Sequence, residues 1–304
     1  MRILVTGISG FVGSRLAPRL LADGHEIRGL SRRPSATPSG IEVVPGDVVN
    51  AKGLEAALAG VEVAYYLIHS MEPSRDGSFQ TREYRAAHNF VRAAQRAGVR
   101  RIIYLGGFVP GTGQASPHLA SRLAVEQLLL RATDDSVAFR ASIVIGARSR
   151  SFRFLVRLIE RLPVLVVPAW RENRTAPIDE RDVIEFLARA ATQTGLAGQS
   201  LDIAGPDVVT YAQLIDMIRE EMLVDRPTIG LTRITATPIA SRVSSVIAGE
   251  DWELIAPLME GLEHDLLPRD HAAAGRLGVR LHPLGRAIAH ALREWEESEP
   301  LKAR

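Results

Sequence analysis

The run Thr6-Gly7-Ile8-Ser9-Gly10-Phe11-Val12-Gly13 sets three glycines three residues apart, between a short apolar run, Ile3–Val5, and a helical pattern, Val12–Leu21. In that position each glycine has its own task. Gly7 permits a tight turn, Gly10 lets backbone N–H groups come close to an anion, and Gly13 lets a helix lie against a strand. The helix N-terminus adds its partial positive charge to the same spot. Three glycines alone are a weak signal, but between a first strand and an amphipathic helix they predict a pyrophosphate cradle, with Ser9, Phe11 and Val12 completing the turn.

A second group of residues reads the rest of such a ligand. The next strand ends Leu30-Ser31-Arg32-Arg33. A fold that prefers NAD would place a carboxylate there for the ribose 2′-hydroxyl. Ser31, Arg32 and Arg33 instead suit a 2′-phosphate, so NADPH is the expected cofactor. The alternative is that both arginines are solvated loop residues. Gly46-Asp47-Val48 closes the third strand, where Asp47 and Val48 can meet the adenine. Leu67, Ile68 and His69 follow the fourth strand at the edge where doubly wound sheets bind ligands, and Gly106 and Gly107 end the fifth.

With these motifs in place the chain resembles the short-chain dehydrogenase/reductase superfamily, in its extended and atypical branches. The resemblance rests on the Thr-Gly-x-x-Gly-x-x-Gly spacing, Gly46-Asp47-Val48, Asn89, the strand from Arg140 to Gly146, and Pro177-Ile178-Asp179-Glu180-Arg181-Asp182-Val183. Tyr66-Leu67-Ile68-His69-Ser70-Met71 and Tyr104-Leu105-Gly106-Gly107 are similar to an atypical subgroup with relatives among NmrA-like proteins and the complex I accessory subunit.

The resemblance breaks at the catalytic residues. Typical members use a serine and a tyrosine followed four residues later by lysine, the tyrosine giving a proton to the carbonyl oxygen. The only lysines here are Lys52 and Lys302, and no tyrosine has a lysine four residues on. Alignment with the family implies Gly107 near the serine position and His118 and Arg122 at the tyrosine and lysine positions. One helical turn apart, His118 and Arg122 share a face. His118 can donate a proton near neutral pH, or it simply starts the helix after Pro117. Arg122 can hold cofactor phosphates or ribose but cannot shuttle protons.

The elements that must position these residues follow from periodicity. Strand-like runs at Ile27–Leu30, Ile41–Val44, Val63–Ile68, Arg101–Leu105 and Val137–Ile145 alternate with helical patterns. Unbroken apolar runs joined by helices predict a doubly wound parallel sheet, an α/β Rossmann fold buried on both faces. Residues 1–146 are expected to form the dinucleotide-binding domain. Residues 147–304 form a smaller, less regular C-terminal substrate-side region, with about 175–205 returning to the sheet. The segment from Trp252 to Leu262 is expected either to wall an apolar substrate pocket or to pack in the core.

Composition narrows the remaining classes. The 304 residues are 46% hydrophobic with a formal net charge of +2 and no cysteine. Disulfides, thiol catalysis and zinc–thiolate sites are thereby excluded. No cationic run points to nucleic acid, no apolar run has the length of a membrane span, and the histidines make no metal pattern. Those features lead to the expectation of a cytoplasmic enzyme with a small-molecule carbonyl substrate and an open oligomeric state. Similarity to actinomycete polyketide reductases implies an NADPH-dependent ketoreductase of antibiotic biosynthesis acting on a bulky aromatic or polyketide-like carbonyl. A non-catalytic NADP(H)-binding sensor or assembly subunit, and an isomerase or epimerase with resident NADP, are the alternatives.

Overall fold

The computed structural model describes residues 1–33, 40–68, 79–108, 117–162, 164–167, 169–226, 228–230, 262 and 264–299. Seven strands make the central sheet: β1 (Arg2–Thr6), β2 (Glu26–Ser31), β3 (Glu42–Pro45), β4 (Val63–Tyr66), β5 (Arg101–Gly107), β6 (Val137–Ala141) and β7 (Gln199–Ile203). Their spatial order is β7-β6-β5-β4-β1-β2-β3, and every pairing is parallel. The chain winds outward from β1 to β3, then crosses to β4 on the other side of β1. That reversal opens a crevice at the C-terminal ends of β1 and β4, where doubly wound folds hold ligands.

Parallel strands need crossovers, and the crossovers cover both faces. Helices α1 (Phe11–Ala22), α2 (Leu54–Leu58), α3 (Phe79–Arg96), α4 (Pro117–Leu130), α5 (Arg150–Arg161) and α6 (Glu180–Ala190) supply most of them. Successive strand residues point to opposite sides. Ile3, Val5, Tyr65, Ile103 and Phe139 pack with Leu16 and Leu20 of α1 and Phe186 and Leu187 of α6. Their neighbours Leu4, Ala64, Tyr66, Ile102 and Ala138 pack with Leu54 of α2, Phe90 of α3 and Val125 of α4. Burial on both faces explains why the strands lack alternation. Helix α1 runs through Pro18 without interruption.

Two strands end sooner than the apolar runs suggest. β4 stops at Tyr66 because Thr6 intervenes: its hydroxyl donates to Tyr65 O at 2.9 Å and accepts from Leu67 N at 3.1 Å. The run Val137–Ile145 divides at Ser142, whose hydroxyl lies 2.7 Å from that of Thr175. Beyond that point Val144–Ile145 leaves the sheet and pairs with Ile178–Asp179.

A third apolar core lies in the C-terminal half. It joins α5 to α7 (Tyr211–Glu221) and, past α8 (Ala272–Leu277), to α9 (Leu284–Ser298). Phe152, Val156, Leu214, Ile218, Ile288, Leu292 and Trp295 make it up. Helix α7 starts at a capping box in which Thr210 and Gln213 exchange side-chain and backbone hydrogen bonds.

Candidate functional site

The glycine turn opens from the end of β1 into the crevice. Gly7 sits in the left-handed region at φ 68°, and its carbonyl accepts from Gly10 N at 2.8 Å. Gly13, in the first turn of α1, approaches that carbonyl so closely that a Cβ there would lie 2.3 Å from Gly7 O. No side chain caps α1 at Gly10, and its first turn has no acidic residue. The first N–H groups of any helix lack intrahelical partners. Here they and the helix dipole stay available to an anion.

One cavity of about 710 Å³ runs from this turn across the switch point. Gly7, Ser9, Gly10, Ser31, Arg32, Arg33, Asp47, Val48, Leu67 and Ile68 line it, bringing ten of the residues singled out from the sequence together. Phe11, Val12 and Gly13 lie just behind the turn in α1. Gly106 and Gly107 end β5, Gly106 buried and Gly107 half-buried. Arg122 is half-buried on α4, further along the same sheet edge. His118 belongs by backbone to the first turn of α4; its side chain lies outside the described residues, as do His69, Ser70, Thr112, Ser116 and nearly all of Trp252–Leu262.

Local bonds hold the side of the cavity formed by the ends of β2 and β3. Ser31 Oγ donates to Arg33 O at 2.8 Å and accepts from Arg33 N at 3.2 Å, which fixes the path of the two arginines. Asp47 Oδ1 accepts from Val49 N at 2.9 Å. Asn89 of α3 then donates to both Val48 O (3.0 Å) and Val49 O (2.9 Å), tying the loop after β3 to the helix beyond the switch point. A smaller cavity of about 440 Å³ uses the same loop as a wall, with Ala51, Gly53, Asn89, Arg92 and Arg96.

A buried polar cluster lies beneath the end of β5. Glu83 of α3 is 2% exposed and accepts from Ser121 Oγ of α4 at 2.7 Å. Burial pushes its carboxyl above the usual range, against the opposing pull of that hydrogen bond and of the Arg122 guanidinium. Tyr104 is raised by burial too, and a Cβ on Gly106 would lie 2.8 Å from its ring. Gly106 is therefore what lets the Tyr104 side chain reach the sheet edge. The sequence reading missed Glu83, and it missed Arg82 on the cavity wall. Helical spacing offered a signal for the second, since Arg82 stands two turns before Asn89 and on the same face.

On the other side of the sheet edge, Gly146 lets α1 and α6 converge: a Cβ there would fall 2.2 Å from Glu180 Oε2 and 2.8 Å from Phe11 Cζ. Asp179 caps α6, accepting from Arg181 N at 2.8 Å and from the Arg181 guanidinium. One potential ligand atom each from Glu180, His290 and Glu294 lies within 4.8 Å of the others. Arg15, however, bonds Glu294 and stands 3.5 Å from Glu180. A guanidinium thus supplies the positive charge that a metal ion would bring, and we assign no metal. No described helix is long and apolar enough to cross a membrane.

The comparisons agree with this geometry. Residues 7–138 match a family described as NAD(P)H-binding. Of curated proteins, an uncharacterized protein of Mycobacterium tuberculosis is 28% identical over 268 residues, 86% of this chain but only 27% of that protein. The chain thus spans about a quarter of that relative's length. A (4-alkanoyl-5-oxo-2,5-dihydrofuran-3-yl)methyl phosphate reductase of Streptomyces griseus is 29% identical over 222 residues, covering 68% of this chain and 69% of the reductase. Among solved structures, a dTDP-glucose 4,6-dehydratase from Streptomyces venezuelae with NAD bound superposes with a TM-score of 0.72. It is 19% identical and covers 99% of this chain and 100% of its own, a likeness of fold. The chain has a Rossmann-like α/β fold, and its residues 7–138 are similar to an NAD(P)H-binding family.

Proposed function

We propose that the protein is an NADPH-dependent ketoreductase acting on a bulky aromatic or polyketide-like carbonyl compound. The observation that carries the reading is the 710 Å³ cavity, which joins an uncapped helix N-terminus to Arg32 and Arg33 and has no carboxylate at the end of β2. The residues fit the cofactor. The Gly7–Gly13 turn would hold the pyrophosphate, Arg32 and Arg33 the 2′-phosphate, and Asp47 with Val48 the adenine. When bound, the reduced nicotinamide supplies a hydride. Kinship to a curated reductase supports the direction of the chemistry.

The chain's own part is to orient the carbonyl and manage one proton. Gly107 leaves room for a broad substrate at the end of β5, and the region after Gly146, with its own apolar core, supplies the substrate side. With no lysine near α4, a phenol adjacent to the carbonyl delivers the proton, and His118 has a secondary role. Arg122 steadies the cofactor side of α4.

Following reduced-cofactor absorbance with a panel of quinones and aromatic ketones tests this directly. Substrates bearing a neighbouring hydroxyl should react fastest, and His118→Ala should cost about tenfold or less. A dedicated proton donor is worth about 10²- to 10⁴-fold. A loss in that range, with NADPH affinity unchanged, would make His118 the general acid. The missing Tyr–Lys pair also favours a second reading, an NADP(H)-binding sensor or assembly subunit. Tight NADPH binding without consumption by any carbonyl would select it, and turnover without net consumption would select an isomerase.

A further inference from the structure

Arginine is the dominant cation of this chain, and its partly buried copies are almost all occupied. Arg28 bonds Glu42 and three carbonyls of the α2 region, Arg101 grips Asp135 through two nitrogens, and Arg140 grips Glu126 in the same way. Arg82 differs. It is half-buried, it lines the dinucleotide cavity, and its guanidinium has no hydrogen bond or ion pair among the described residues. It also stands in the first turn of α3, a turn without any acidic residue. A cation there meets the positive end of the helix dipole. Folding alone gives no return for that placement.

A second arginine, exposed rather than half-buried, is similar. Arg33 lines the same cavity from the end of β2, and its guanidinium likewise has no partner among the described residues. Two guanidiniums without partners among the described residues, lining one cavity with an uncapped helix N-terminus, are complementary to a ligand with several phosphates.

We propose that Arg82 is a phosphate-binding residue of the cofactor cavity, closing the anion site from α3 while Arg33 closes it from β2. The inference rests on the reading of the cavity as an NADPH site and adds the residue that the glycine turn does not reveal.

The test is equilibrium binding of NADPH and NADH to the full chain, by quenching of protein fluorescence and by thermal shift, without any substrate. Arg82→Ala should weaken NADPH binding by about 10- to 100-fold, Arg82→Lys should restore part of it, and Arg33→Ala should do similar harm. Circular dichroism shows whether each variant is folded. A loss confined to NADPH assigns Arg82 to the 2′-phosphate, and an equal loss for NADH assigns it to the pyrophosphate. A folded Arg82→Ala variant that binds both cofactors within twofold of the parent overturns the inference and leaves the cavity reading standing. A parent protein that binds neither cofactor overturns both.

Discussion

Gly13→Ala is the sharpest probe of the turn, because the added methyl has only backbone to meet. Its carbon would lie 2.3 Å from Gly7 O, 2.9 Å from Gly7 C and 3.0 Å from Ile8 Cα. Ordinary contact begins near 3.4 Å, so the two backbone segments must part by roughly 1 Å, and neither has a flexible end that can swing away. Gly7 O is already engaged with Gly10 N at 2.8 Å, so relief also loosens that bond. Overpacking of this kind costs about 1–3 kcal/mol, and a weakened hydrogen bond adds about 1 kcal/mol. At a few degrees per kcal/mol for a chain this long, the melting temperature should fall by roughly 5–15 °C. The same shift withdraws N–H groups from the pyrophosphate. Each charged hydrogen bond lost costs about 1.5–3 kcal/mol, or roughly 10- to 150-fold in Kd. Gly285→Ala is the matched control, a helical glycine in α9 with nothing within 4 Å of the new carbon. It should be neutral or stabilising by up to about 1 kcal/mol and leave NADPH binding unchanged. Thermal melting and fluorescence titration read both quantities. A Gly13→Ala protein with unaltered melting and affinity would refute the close-approach argument.

Two other substitutions separate the supports of the cavity. Asn89→Ala strips the carbonyls of Val48 and Val49 of their shared donor; it should cost about 1–3 kcal/mol and weaken NADPH binding, both read in the same titrations. Loss of stability with undiminished affinity would mean that the loop does not touch the adenine. Glu83→Gln tests the buried carboxyl. Burial holds the pKa of Glu83 up, so the folded state binds more protons than the unfolded state over a window starting at ordinary glutamate values. Its contribution is full below that window and fades as pH rises through the raised pKa. A glutamine keeps an acceptor for Ser121 and does not titrate, so the variant should gain on the parent, in melting temperature, as the pH rises above ordinary glutamate values. A constant or shrinking difference would count against the burial argument.

The fold was legible because its strands are buried on both faces. Runs such as Val63–Tyr66 and Arg101–Leu105 stand out when no solvent side interrupts them. Helix starts marked by local chemistry, Asp179 and Thr210, were legible as well. Ends set by distant partners were not. Nothing in the run Val137–Ile145 announces that Ser142 will meet Thr175 and send Val144–Ile145 to another strand. In α3 the buried face holds Glu83, Ala86, Ala87, Phe90 and Val91, while Tyr84 is 46% exposed. A buried carboxylate at the head of an apolar stripe has no signature in periodicity. Its partner, Ser121, is 38 residues away.

The same carboxylate bears on why arginine cannot stand in for the missing lysine. An ammonium beside a phenol lowers the phenol's pKa, and it can itself lose a proton when desolvated; a guanidinium cannot. The resemblance matches Arg122 to that lysine, and the charge of Arg122 acts on Glu83 and Tyr104 in the interior between α3 and α4. Part of its positive charge is therefore offset from below by an acidic neighbour, and Tyr104 remains raised by burial despite it. Where Glu83 is ionised, the electrostatic gradient that would acidify a phenol at the sheet edge would be weakened. A chain that keeps the pyrophosphate turn intact while loosening this gradient relieves its side chains of proton delivery only if the substrate carries an acidic hydrogen of its own. On that argument the proposed preference for hydroxyl-bearing aromatic carbonyls follows from Glu83 and Arg122 as much as from the absent tyrosine.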